Sequence, residues 1–267
     1  MSLMFRKLPT IESILASFQP LILAYPDYKN QLNLVYNSFM SHKVEVNILR
    51  AFVDEEGKNG NPTGIIIDEE QKLTSKERQI IATHLHYTDT VFINSLDTVN
   101  LSFFNPQQET KFAGDSLIST SYFINHVLKK NTELLVCKGG QVKTWEGDDI
   151  TWIEANLEGT PPWNHKQLEN PSMIESITPD EAAKFEHTMI WAWIDKEKGL
   201  IRSRTFLLDW GTLEDQGNGS GSMQLANILN RKIEIYQGKG SVIYADYAGK
   251  GTARVGGRVK VDESILV

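Results

Sequence analysis

From about residue 43 the chain is built of short alternating and apolar runs. "VEVNILRAF" (44–52) alternates apolar and polar positions with the period of a half-buried strand. The polar "EEGKNGNPTG" (55–64) follows and reads as a long turn, then "GIIID" (64–68) as a short buried strand. "TSKERQIIATHLH" has the spacing of an amphipathic helix capped by Thr74 or Ser75. "DTVFIN" and "VNLSFFN" read as strands. Beyond Val136 further strands are expected at "TWIEANL", "TMIWAWID", "IRSRTFLL", "RKIEIYQG" and "SVIYADY". The chain closes on "TARVGGRVKV", with "GGR" (256–258) as a turn. Between 158 and 180, Pro, Asn and Glu predict loop with at most a short helix. Ahead of all this, residues 1–42 read as mostly helical. Ile11, Ile14, Leu15 and Phe18 recur at helical spacing behind Thr10, and Pro26-Asp27 breaks the run before Leu32, Val35 and Phe39.

An internal echo organises the rest. "LSFFNPQQETKFAGDSLISTSYFINHVL" and "SRTFLLDWGTLEDQGNGSGSMQLANIL" share one plan: a strand with Phe, a turn, a Glu, a small-residue loop and a helix. Glu109 precedes Gly114 by the same interval as Glu214 precedes Gly219, and a polar residue, Asp115 or Ser220, follows each glycine. Two related units facing each other would bring two helix N-termini to one cleft. Each N-terminus carries unpaired N–H groups and about half a positive charge, a natural seat for a carboxylate or phosphate. The competing reading is that strand–loop–helix units are common and the equal spacing is coincidence.

Composition narrows the classes. The 267 residues suffice for one large domain or two ordinary ones, and 40% hydrophobic with 23% charged residues is ordinary for a globular protein. A net charge of −7 gives no general affinity for nucleic acid or anionic lipid. The apolar runs are too short to span a bilayer and no signal-type segment opens the chain, so no membrane or nucleic-acid partner is expected. Cys137 is the only cysteine, which excludes an intrachain disulfide and a cysteine metal cluster and favours a reducing, cytoplasmic setting. The histidines are scattered, with His84 and His86 on different faces of a helix, so no metal site is expected.

Five motifs in order now carry a resemblance. "NGNPTGIIID" resembles a Gly-Asn-Pro opening, and "LTSKERQIIATHLHYTDTVFI" the helix and strand after it. "FFNPQQETKFAGDSLIST" resembles Phe-Thr-Pro…Glu-x-x-x-Ala-Gly-His-Pro-Thr, and "RTFLLDWGTLEDQGNGSGS" resembles Arg-x-Phe…Glu-Asp-Pro-Ala-Thr-Gly-Ser-Ala. "IYQG" resembles the Gln-Gly turn of the same set. From about Val44 to the C-terminus the chain is similar to the phenazine-biosynthesis PhzF-like proteins, which share the diaminopimelate epimerase fold. The resemblance implies an α+β fold of two pseudo-symmetric domains, each a mixed or antiparallel β-barrel wrapped around a central helix. The expected division is 1–42 as a helical extension, 43–135 as the first domain and 136–267 as the second. The last strand, near 258–266, would return to the first domain. It further implies proton-moving isomerisation of a small molecule in the interdomain cleft, with no cofactor, in a homodimer for which strand 189–194 offers a surface.

The family's catalytic Glu falls on Asp89, its His on Asp115, its loop Asp on Asp215 and its Ser on Ser220. Asp89 is shorter than Glu by one methylene, and Asp115 turns a donor into an acid. "QGN" (216–218) replaces Pro-Ala-Thr, with Gly217 adding flexibility. Carbon acids need a base close to the carbon and an acid to return the proton. Asp89, Asp115 and Asp215 clustered in one cleft would repel, leaving one protonated as acid and another ionised as base. Gly114, Ser116, Gly219, Ser220 and Asn61 are the candidate substrate-binding positions, through backbone N–H groups and short polar side chains. Glu214 is expected to tie its loop through backbone N–H groups, and Arg204 to face the cleft. The bland alternative keeps Asp115 as an N-cap, Asp89 as a strand-end polar residue and Asp215 as a turn acid. These leave two functions open: a cofactor-independent isomerase or epimerase of a small carboxylated substrate, or a small-molecule-binding or vestigial member of the same fold.

Overall fold

The alternation that begins at Val44 pairs on both edges, and that pairing organises the molecule. The computed structural model describes residues 44–267. The helical expectation for 1–42, and any docking or subunit contact made by that segment, lie outside the described residues. The first strands are β1 (Glu45–Val53), β2 (Asn59–Ile67), β3 (Asp89–Ser95), β4 (Asn100–Phe104), β5 (Glu109–Thr110), β6 (Leu134–Cys137), β7 (Gly140–Gly147) and β8 (Ile150–Asn156). Helix α1 (Ser75–Leu85) joins β2 to β3, and α2 (Gly114–Tyr122) follows β5. The second run holds β9 (Asn164–Gln167), the short helices α3 (Pro171–Glu175) and α4 (Pro179–Ala182), β10 (Thr188–Asp195), β11 (Leu200–Leu207) and β12 (Thr212–Asp215). It continues through α5 (Gly219–Leu229), β13 (Ile233–Gln237), β14 (Ser241–Gly249) and β15 (Thr252–Leu266). The result is a mixed α+β fold with one large mixed sheet and few helices. Among the described residues no helix is long and apolar enough to cross a membrane.

The pairing pattern runs twice. β2 lies parallel to β3, and β4 pairs antiparallel with β3. β4 then takes β5 antiparallel and β6 parallel, and β7 and β8 follow antiparallel. β9 lies parallel to β10, and β11 pairs antiparallel with β10. β11 takes β12 antiparallel and β13 parallel, and β14 and β15 follow antiparallel. Strand pairing runs across 135/136, where Val136 of β6 pairs with Asn100 of β4 and carries β7 and β8 with it.

One strand joins the two runs. Residues 252–257 of β15 pair with β8, and residues 258–266 pair with β1, from Arg258 opposite Val53 to Leu266 opposite Glu45. The ladder β1–β2–β3–β4–β6–β7–β8–β15 thus closes on itself, and all strands belong to one 15-stranded sheet rather than two separate ones. "GGR" is not a turn but the passing point in this long strand. A Cβ on Gly256 would stand 2.5 Å from Trp152 Cδ2, and one on Gly257 2.4 Å from Phe52 Cδ1, so neither position has room for a side chain.

Two further local expectations are corrected. "NGNPTG" is strand, not turn: Asn59 and Gly60 take φ of +60° and +80°, and Asn61 and Pro62 then pair with Ala51 and Arg50. Pro62 sits just before the β2–β3 ladder begins at Thr63, so its missing N–H breaks no bond on that side. In 158–180, β9 adds to the edge beside β10, so His165 faces Met189 in register. β10 is therefore flanked on both sides, and Met189, Ile190, Trp191 and Ala192 are buried within the chain while Ile194 is 49% exposed.

The core explains the placement of the helices. Leu117 and Ile118 of α2 share one buried cluster with Leu49, Ile153 and Val255 of the closed ladder, and with Met223 and Leu225 of α5. α1 lies on the other face of the sheet, where Ile81, Ala82 and Leu85 pack on Ile66, Phe92 and Phe104. Thr74 caps α1, with its side chain bonded to the Glu77 N–H and the Glu77 carboxylate returned to Thr74, a reciprocal box.

Candidate active site

The echo in the sequence becomes a head-to-head contact. β5 places Thr110 opposite Phe103, β12 places Asp215 opposite Thr205, and α2 and α5 start a few residues later at Gly114 and Gly219. The two starts meet. A Cβ on Gly114 would lie 2.9 Å from Gly219 Cα, and one on Gly219 2.9 Å from Gly114 Cα. Only residues without Cβ allow the two N-termini to approach this closely, and the positive ends of both helices then act on one small volume.

Around that contact stand Asp89, Asp115 and Asp215, with 7%, 4% and 3% of their surface exposed. Asp89 opens β3, opposite Thr63 in register, and its Oδ1 accepts from Thr110 Oγ1 at a long 3.4 Å. Thr110 is its one hydrogen-bonded partner among the described residues. Asp115 does not cap α2: Ala113 holds that position without a side-chain bond, and Asp115 lies in the first helical turn. Its carboxylate accepts from the Asn61 side chain, and the Ser116 N–H beside it favours the charged form. Asn61 is the hinge pin of the cluster. Its Nδ2 donates to Asp115 Oδ2 at 2.7 Å and to Asp215 Oδ1 at 2.9 Å, while its Oδ1 accepts from Thr88 Oγ1 at 3.3 Å.

Asp215 faces the cavity as expected and also takes the loop-tying role expected of Glu214. The loop is tied down by Asp215, whose Oδ1 accepts from the Gly217 N–H at 3.0 Å and whose Oδ2 accepts from Asn218 Nδ2 at 2.9 Å. Asn218 in turn caps α5 through the Gly221 N–H. Glu214 points to the other face of the sheet, where Arg204 Nε and Nη2 donate to its two oxygens at 2.9 and 2.7 Å. Strand alternation forces this: neighbours in β12 must face opposite ways, as must Arg204 and Thr205 in β11. Arg204 is thereby removed from the cleft. Gly217 gives packing rather than flexibility, since a Cβ there would come within 2.8 Å of Phe52 Cδ2 and 3.2 Å of Asn61 Cβ. Phe52 itself takes φ of +65° at the bulge between β1 and β15, an unfavourable state for a bulky residue held by its burial.

The acids enclose a cavity of about 20 Å³, space for about one water. Gly114, Gly219, Ser220, Phe112, Trp163 and Trp210 complete the wall, and none of the described lining residues is a Lys, Arg or His. Ser220, in the first turn of α5, accepts from Trp163 Nε1 at 2.9 Å. Ser116 is turned away: its hydroxyl lies 3.3 Å from Thr63 Oγ1, fully buried, and it does not line the cavity. Trp163 and Trp210 are the residues that sequence reasoning missed. Their only signals were "PPW" and "DWG", which look like ordinary turns. A larger groove of about 650 Å³, near Tyr122, His126 and Arg258, lies elsewhere; its acids Glu55, Glu146, Asp148 and Asp149 are exposed and Asp54 is half-buried.

Electrostatics separates the acids. Asp89 is held well above the usual carboxylate range, first by burial and then by the charges of Asp115 and Asp215. Asp115 is pushed up to about 7 by burial and by Asp215, against the opposing bonds from Ser116 and Asn61. Asp215 is also raised by burial, but the Gly217 and Asn218 donors favour its charged form. Burial leads in all three, and the donors to Asp115 and Asp215 oppose it more than the single long bond from Thr110 does at Asp89.

This arrangement can be set beside known proteins. A family model described as phenazine biosynthesis-like protein, PhzC-PhzF, matches residues 49–195. An uncharacterized isomerase of Bacillus subtilis (strain 168), YfhB, is 32% identical over 180 residues, covering 62% of this chain. The match spans 61% of that relative's own length. A PhzF-family protein of Enterococcus faecalis superposes with a TM-score of 0.68 at 16% identity, over 85% of this chain and 99% of that one. A hydroxyproline epimerase from Agrobacterium vitis, with bound trans-4-hydroxy-L-proline, superposes at 0.55 and 12% identity, over 84% of this chain and 92% of its own. On the family match over more than half its length, the chain belongs to the PhzC/PhzF phenazine biosynthesis-like family.

Proposed function

We propose that this protein is a cofactor-independent isomerase or epimerase that moves a proton on a small carboxylated molecule. The observation that carries the reading is the convergence of two helix N-termini, at Gly114 and Gly219, on three buried acids with separated proton affinities. In this reading the repeated strand pattern forms two pseudo-symmetric halves. Each is a barrel around one helix, α2 or α5, and the cavity is the cleft between them. The ligand's carboxylate lies on the N–H groups of the two N-termini and on Ser220. Asp115, at about 7, supplies the ionised base near neutral pH, and Asp89 holds the proton to be returned. Asp215 keeps the loop and the field in place. The protein works as a homodimer in the cytoplasm on this view.

Small-molecule pockets commonly enclose about 300–1,000 Å³, so a cavity of about 20 Å³ is a closed state. Entry requires the segment of Trp163 or that of Trp210 to move. A specific observation favours a second reading, a binding-only member: Asn61, Gly217 and Asn218 of the protein itself occupy most of the acceptor sites of Asp215.

Incubation in D2O with a panel of small carboxylic acids separates the two. The panel includes L-proline and trans-4-hydroxy-L-proline, chosen because structural neighbours are named as a probable proline racemase and a hydroxyproline epimerase. Mass spectrometry should find deuterium at an activated carbon of one acid. Saturable binding of an acid with no exchange in any would favour the binding-only reading.

A further inference from the structure

Trp163 lies far from the catalytic motifs in sequence, on the segment between β8 and β9, yet its indole touches the helix that carries Ser220. An indole N–H donates and never accepts. The 2.9 Å bond from Trp163 Nε1 therefore fixes Ser220 Oγ as the acceptor in that pair. The hydroxyl's own proton must point elsewhere. Among the described residues Ser220 has no second side-chain partner, it is 5% exposed, and it lines the cavity. We propose that Trp163 is a positioning residue that turns the Ser220 O–H into the cavity as a fixed donor for an oxygen of the ligand. The inference rests on the reading above that a carboxylate lies at the helix N-termini.

The segment that carries Trp163 is held to the same helix face. Gln224 stands one turn beyond Ser220 on α5. Its Nε2 donates to Thr160 Oγ1 at 2.8 Å and to the Pro161 carbonyl at 2.7 Å, and its Oε1 accepts from the Trp163 N–H at 3.3 Å. The ring also packs edge-on against Trp210, with centroids 6.1 Å apart, across the cavity wall. The indole is thus held against Ser220, and its bond excludes the Ser220 proton from that direction. With one of its two lone pairs held by Trp163, the hydroxyl keeps its proton and a single lone pair, which biases it towards donating to an anionic oxygen.

The test uses 15N-labelled full-length protein and formate, a carboxylate with a single carbon. The Trp163 indole peak is assigned as the one lost in Trp163→Phe. In the ligand-free protein, Ser220→Ala should shift that peak and leave the other indoles in place; an unmoved peak overturns the proposal. If Trp163→Phe does not fold, the peak is assigned in wild type by through-bond and NOE connectivities, and this arm still stands. Formate is then titrated against the amide peaks of Gly219 and Ser220. Wild type should bind, Trp163→Phe should bind about two- to tenfold more weakly, the usual net effect of one hydrogen bond, and Trp163→Phe should cost nothing further in the Ser220→Ala background. The same loss in both backgrounds would mean that Trp163 acts by packing, and absence of formate binding to wild type would remove the donor; either overturns the proposal. Failure of deuterium exchange with intact Trp163–Ser220 coupling would instead count against the isomerase reading alone.

Discussion

Gly114 and Gly219 open their two helices nose to nose, each occupying the space into which a side chain on the other would project, with 2.9 Å from a notional Cβ on one to the Cα of the other. Two positive helix ends in contact repel, and the carboxylates beside them relieve that repulsion. Gly114→Ala should break the contact. The obstacle is backbone of Gly219 and Ser220, which cannot swing aside. A destabilisation of about 1–3 kcal/mol is expected from overpacking, partly offset by the better helix propensity of alanine. Urea unfolding measures it, and an unchanged midpoint would count against the close approach.

Asp89→Asn keeps the size of the side chain and removes its exchangeable acid. With Thr110 as its one partner among the described residues, the amide fits the same space. The variant should melt within a few degrees of wild type and lose deuterium exchange into whichever acid wild type labels. Retained exchange would remove Asp89 from proton transfer and leave the cavity as a binding site.

Asp115 links the site to stability. Burial raises its folded pKa from 3.8 to about 7. Below about pH 4 it is protonated folded or unfolded, and that favourable state is lost as pH climbs towards 7, where the fold must accept a buried charge. Asp115→Asn removes this pH-dependent cost. It should melt near wild type at pH 4 and above wild type at pH 8, read by thermal denaturation at both. A variant less stable than wild type at pH 8 would show that the charge is wanted by the fold.

Asn61→Ala removes the donor that Asp115 and Asp215 share at 2.7 and 2.9 Å. That bond lowers the proton affinity of Asp115, so its loss should move the Asp115 titration upward from about 7. The base limb of any exchange activity should move to higher pH with it. Carboxyl 13C NMR follows the titration directly, and a downward move would exclude Asn61 as the group that keeps Asp115 available as a base.

Local chemistry was legible in the sequence. The alternation of 44–52, the Thr74 cap and the spacing of Glu109–Gly114 and Glu214–Gly219 all depend on neighbours within a few residues, and backbone periods fix what they form. The three acids and Ser220 were legible by resemblance, and they do stand around one cavity. What the sequence could not hold was contact between distant segments. That Asp215 faces inward and Glu214 outward depends on which face of β12 meets the core. The long run of β15 through Gly256 and Gly257, and the place of β6 beside β4, were settled by pairing across the sheet. Gly217 looked like freedom and is packing, because Phe52 and Asn61 close on it from β1 and β2. Trp163 and Trp210 reach the cavity from turns with no marked pattern. Hydrogen-bond period is written along the chain, whereas the meeting of two helix ends is decided only when the strands that carry them have paired.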